Sequence, residues 1–159
     1  MVTSARRART GHLGRRDRGT ASLELVIVAP FMLLLLMMIL AFGRYAQTEN
    51  LIDQAARDAA RASTAQNVRA DVPKISDQVL QESMVDAPDS CRSTSKVARI
   101  SMTQTAFSLP DPNDPIAIDS VSVEVTCTLD LSDLAGLPLK SVTITRTFTS
   151  PLDRYRGYQ

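Results

Sequence analysis

Every residue from Leu25 to Phe42 is apolar, an unbroken stretch that ends at Gly43-Arg44. At about 1.5 Å of rise per residue it covers roughly 27 Å, close to the thickness of a bilayer's hydrocarbon layer of about 30 Å. The pattern predicts a transmembrane helix over residues 20–43, with Ala21–Leu23 extending it at the front. Pro30 lies inside this run, where it removes one backbone donor and is expected to kink the helix. Beyond Arg44 the pattern changes. Tyr45, Thr48, Ile52, Ala55, Ala59 and Ala62 recur at steps of three and four and mark one face of an alanine-rich helix over 44–66. Arg57 and Arg61 can pair with Asp53 and Asp58 across its turns. Two readings of the alanine stripe stand side by side: it packs on the chain's own domain, or it contacts another subunit.

The rest of the chain, 67–159, reads as a small domain. Asn67–Val72 breaks the helical period, and Pro73 with Ile75, Val79, Leu80 and Met84 predicts a short second helix ending before Pro88. Ser90–Thr105 is rich in serine and threonine, and its alternation at Ala98, Ile100 and Met102 reads as a strand. A polar, proline-studded turn follows at 110–115. Ile116–Leu131 is the clearest strand, with Val121, Val123, Val125, Cys127, Leu129 and Leu131 on one face. After a loop over Ser132–Pro138 containing Gly136, Leu139–Thr149 makes a third strand with Val142, Ile144 and Phe148 inward. Helices followed by strands in a small domain predict an α+β class with an antiparallel sheet of about three strands.

Charge alters the picture of the N-terminus. The chain carries a net charge of +1, yet residues 1–19 hold six arginines against one aspartate. The remainder holds twelve basic and sixteen acidic side chains, so nucleic-acid binding by the body is not expected. A basic leader before the apolar run places the N-terminus in the cytoplasm and the C-terminal domain outside, on a single-pass membrane protein. His12, the only histidine, lies in that leader, so the body has no histidine for catalysis or metal binding. No phosphate loop and no nucleophile–base set is evident, and the expectation is a non-enzyme with no cofactor. Asp111, Asp114 and Asp119 lack the spacing of a calcium loop and read as a solvated turn.

The most specific pattern is Gly19 followed five residues later by Glu24, at the edge of the apolar run. This is what a prepilin peptidase reads, and cutting after Gly19 would leave Thr20 as the new N-terminus. Glycine offers no side chain to obstruct the enzyme. A lone carboxylate near hydrocarbon needs a cationic partner. The Thr20 ammonium of a neighbouring subunit can supply it, making Glu24 the packing charge that sets register between helices. Two alternatives remain. An ordinary signal peptide cut near Ala41-Phe42-Gly43 would release a secreted binding domain, and an uncut helix would be a plain surface anchor. Arg15-Arg16 lacks the apolar residues expected after a twin-arginine pair.

Cys91 and Cys127 are the only cysteines, both in the part expected outside the cytoplasm. An oxidising compartment favours a disulfide there, worth roughly 3–4 kcal/mol in the chain-entropy model. Two unpaired thiols are the alternative, and a metal site from two cysteines is not expected.

The run from Gly19 through Glu24, Pro30 and Gly43-Arg44-Tyr45 to Ala55-Ala56-Arg57-Asp58-Ala59-Ala60-Arg61 resembles the TadE-like pseudopilins of tight-adherence (Flp-type) pilus systems. One departure is Leu25, where that family often has an aromatic residue; the tail Ser150–Arg156 matches no known element of it. The resemblance implies a pilin-like protein processed by a dedicated prepilin peptidase. It also implies work in pilus assembly, through contacts of the N-terminal helix with other pilin or pseudopilin subunits in the bilayer.

Overall fold

A computed structural model describes residues 17–108, 118–132 and 140–153, with side chains from Leu23 onward. One helix, α1, runs from Asp17 to Thr64. Its 48 residues make it about 72 Å long. It continues on both sides of Pro30 and joins the apolar run to the alanine-rich stretch in one uninterrupted helix. A 3₁₀ turn at Arg69–Asp71 leads into α2, Val72–Ser83, with proline in its first turn where a missing N–H costs nothing. A third helix, α3, spans Asp89–Thr94. The strands β1 (Lys96–Met102), β2 (Ser120–Asp130) and β3 (Ser141–Pro151) form an antiparallel sheet in the order β1-β2-β3. The class is α+β, as the sequence pattern predicts.

The core lies between one face of the sheet and the second half of α1 with α2. β2 supplies the middle of it: Val121, Val123, Val125, Cys127 and Leu129 are buried at every second position, and Leu131 is buried just past the strand's end. From α1 come Thr48, Ile52, Ala55, Ala56, Ala59, Ala60 and Ser63, all fully buried. The alanine stripe thus packs on the chain's own domain, with Ala56 and Ala60 more deeply placed than Ala62, which is half-buried. Small side chains let α2 approach closely, and the Ser63 and Ser76 hydroxyls meet at 2.7 Å. Each hydroxyl is also within reach of a carbonyl of its own helix, Ala59 and Val72. One donates to its carbonyl and the other across to its partner, so both protons are used without water.

The structure corrects the sequence reading in three places. Residues 89–94 are helical rather than part of the first strand. The stretch DSCRST has no apolar period of either kind, and Thr94 and Ser90 tie it to β2 by accepting bonds from the Thr128 and Asp130 amides. The register of β1 shifts between Val97 and Arg99. This bulge turns Ala98 outward, so Val97, Ile100 and Met102, not Ala98, pack on the core. Finally, β3 begins at Ser141 and reaches Pro151. Leu139, Pro138 and Gly136 lie outside the described residues, as does the whole proline-studded turn at 110–115, with Asp111 and Asp114.

Cys91 and Cys127 are bonded, with Cα atoms 5.0 Å apart. The bridge joins α3 to the middle strand, and both sulfurs are buried. It fixes a helix with little apolar burial of its own, since Cys91 is the only buried residue of α3.

Candidate functional site: the protruding half of the long helix

From Leu23 to Leu36 every residue of α1 is exposed, whichever way it faces. Leu23, Leu25, Val26, Ile27 and Ile39 each present about two-thirds of their surface. A soluble helix carries apolar residues on one stripe only; one that is apolar all round belongs in hydrocarbon or in a protein core. The core of this domain does not reach it. The helix is long and apolar enough to cross a membrane, with its most apolar 18-residue window only 6 % buried.

Charges stand at both ends of this segment. Glu24 is exposed in the second turn of α1 and is the sole acidic residue between Asp17 and Glu49. Arg44 lies twenty residues on, about 30 Å along the axis. The two heads therefore sit about one hydrocarbon thickness apart. The Gly19–Thr20 bond lies within α1, close to the first described residue, Asp17. Thr20 and Glu24 are one turn apart, about 6 Å along the axis. The backbone thus brings Gly19, Thr20 and Glu24 to one end, while Pro30 lies farther along and the Cys91–Cys127 bond is in the domain.

At the other end, the join between helix and domain carries features that sequence reasoning misses. Ala41 is 6 % exposed and Met37 packs half-buried against the core, so the domain covers one face of the last part of the apolar run. Higher on α1, Glu49 pairs with Arg146 of β3, which stands in the inward row with Val142, Ile144 and Phe148. Arg57 pairs with Asp53 at 2.8 Å, as the turn spacing predicts, and lies over the Phe148 ring at 5.4 Å. These contacts fix the rotation of α1 on the sheet. The Glu49–Arg146 pair has only one sequence signal, a charge in the apolar row of β3.

Asp119 accepts the Thr103 and Thr105 hydroxyls, at 2.7 and 2.5 Å, and so ties the end of β1 to the start of β2. Its carboxylate serves as an internal clamp. Gly43 sits at the exit of the apolar run, and a β-carbon there would meet nothing within 4 Å. The fold of the single chain does not require glycine at that position.

In comparison with known proteins, residues 19–61 fit the model of the family described as TadE-like protein. Those residues are the first turn, Glu24, the exposed apolar segment and the alanine face, up to Arg61. No curated protein and no solved structure matches the chain.

Proposed function

We propose that this chain, with its TadE-like segment at residues 19–61, is a membrane-anchored minor pseudopilin that acts in assembling a tight-adherence pilus or a related secretion apparatus. One observation carries the reading: an apolar helix, exposed all round, holds a single carboxylate one turn beyond a Gly-Thr bond. In this reading a prepilin peptidase cuts after Gly19 on the cytoplasmic side, and the helix stays in the membrane. Thr20 then bears an ammonium group. In this reading Glu24 pairs with the ammonium of a neighbour packed alongside. In hydrocarbon such a pair is formed only when both charges arrive together, so it selects register as well as partner. The small domain is held outside the membrane, fixed to α1 by the alanine face and by the Glu49–Arg146 pair.

The function is therefore structural rather than catalytic. The membrane helix joins other pilin or pseudopilin subunits, and the domain limits how closely they approach outside the bilayer. Site-specific photo-crosslinking from Ile27 and Leu34, both exposed, tests this in cells expressing the whole pilus system. Crosslinks to other subunits that vanish in Glu24→Gln support the reading. Crosslinks to lipid alone, unchanged by the substitution, contradict it.

A further inference from the structure

The domain has a definite lower end, and its height on the helix follows from contacts already described. Glu49 pairs with Arg146, while Arg57, farther from the apolar run, lies over Phe148. Thus β3 ascends away from the run as its numbers rise, and its first residue, Ser141, is the end nearest the membrane. From Arg146 down to Ser141 is five residues, about 17 Å of strand. Glu49 itself stands seven residues, about 10 Å, beyond Phe42. Even with some tilt, Ser141 comes down to the level where the apolar run ends.

Two independent observations agree. Ala41 and Met37 are covered by the core, so the domain overlaps the final residues of the run. The upper end is accounted for by other groups: Ser63 meets Ser76, Arg69 donates to the Gln104 carbonyl, and Asp119 clamps Thr103.

We propose that the end of the domain formed by α3, the close of β2 and the start of β3 is seated among phospholipid headgroups at the outer face of the membrane. The surface there suits that layer. A shallow groove is lined by Ser90, Ser93, Thr94, Thr128 and Ser141, with Asp130 and Lys140 as charges of opposite sign. Hydroxyls and paired signs match phosphate and amine heads, whereas hydrocarbon would reject them. The Ser132 amide and hydroxyl hold the Asp130 carboxyl below its usual range, so it stays charged near a surface that concentrates protons. The seat rests on the membrane-spanning reading of α1. It makes the domain a foot on the bilayer rather than a head on a stalk.

The test uses the full chain in proteoliposomes of phosphatidylethanolamine and phosphatidylglycerol. Single cysteines replace Ser93, Ser141, Asn67 and Leu33, one per variant, all exposed positions, and each carries a fluorophore, with the native disulfide verified by mass. Lipid bearing a spin label on its headgroup is the quencher for Ser93, Ser141 and Asn67; an acyl-chain spin label reports Leu33. Ser93 and Ser141 are expected to be quenched severalfold more than Asn67 at the far end. Equal, weak quenching at Ser141 and Asn67, with Leu33 quenched by the chain label, overturns the seat while leaving the span intact. Failure at Leu33 as well overturns both.

Discussion

The two halves of α1 are the same helix in two different settings. In the first half leucine, isoleucine, valine and phenylalanine face outward on every side; in the second, alanine and serine are buried and charged residues are exposed or half-buried. Large residues are exposed and small ones buried, the reverse of a helix designed for one soluble core. The difference separates two kinds of burial. The second half is covered by its own domain, and close approach through alanine serves that. The first half is left uncovered by the domain and is long and apolar enough to cross a membrane. Folding of the domain and assembly of the protein should therefore respond to different substitutions.

The largest effect is expected at Glu24. If its carboxylate meets a neighbour's ammonium within the membrane, removing it leaves a buried charge without a partner, a loss of about 3–5 kcal/mol. Glu24→Ala should then reduce co-purification of partner subunits by more than about a hundredfold, with processing and domain melting unchanged. Unaltered co-purification would remove the register role from Glu24. Next comes the disulfide. Cys91→Ser with Cys127→Ser should destabilise the domain by about 2–5 kcal/mol, measured by urea unfolding of the protein in detergent. It should not alter membrane insertion.

A smaller effect separates the two halves directly. Ala59→Leu inserts bulk where no room exists and should cost about 1–3 kcal/mol of domain stability. Leu33→Ala, on the exposed half, should leave domain unfolding where it was. Equal responses would mean that the halves are not distinct. Gly43→Ala should stabilise the helix by up to about 1 kcal/mol, because the added methyl meets open space. A loss of assembly in that variant would show that another subunit approaches there.

The smallest effect concerns acid. The Ser132 amide, with its hydroxyl second, lowers the Asp130 pKa in the folded state. A depressed carboxylate pKa adds stability that is complete above the unfolded value and fades as pH falls through the folded one. Asp130→Asn should therefore lower stability slightly at neutral pH and flatten the acid limb below about pH 4, so that unfolding midpoints of the two proteins converge in acid.

Much of this division is legible in the amino-acid sequence. The unbroken apolar run, the change of period at Arg44 and the alternation of β2 each follow from spacing alone, because each involves near neighbours. What escapes depends on distant ones. Arg146 reads as an interruption in an apolar row until Glu49, 97 residues away, is placed opposite it. The Ser63–Ser76 contact needs two helices already packed. Ala98 misleads because a bulge shifts the period by one, and α3 is hidden because a short polar helix held by a disulfide needs no apolar period. The overlap of domain and apolar run, through Met37 and Ala41, is invisible in a hydropathy pattern that sees both simply as apolar. At the N-terminal end the Gly19–Glu24 spacing is a sequence signal throughout; the structure adds that both lie in the first two turns of an exposed helix.

The central claim is that the apolar half of α1 is kept in the mature protein as an assembly helix with a new N-terminus at Thr20. Intact-mass and N-terminal analysis of the protein purified from membranes of cells with the complete pilus system tests it most directly. The account predicts a chain beginning at Thr20, free or methylated. A chain beginning at Met1 or Val2 would make it an uncut anchor, and one beginning near Arg44 a secreted domain; either result would contradict the account.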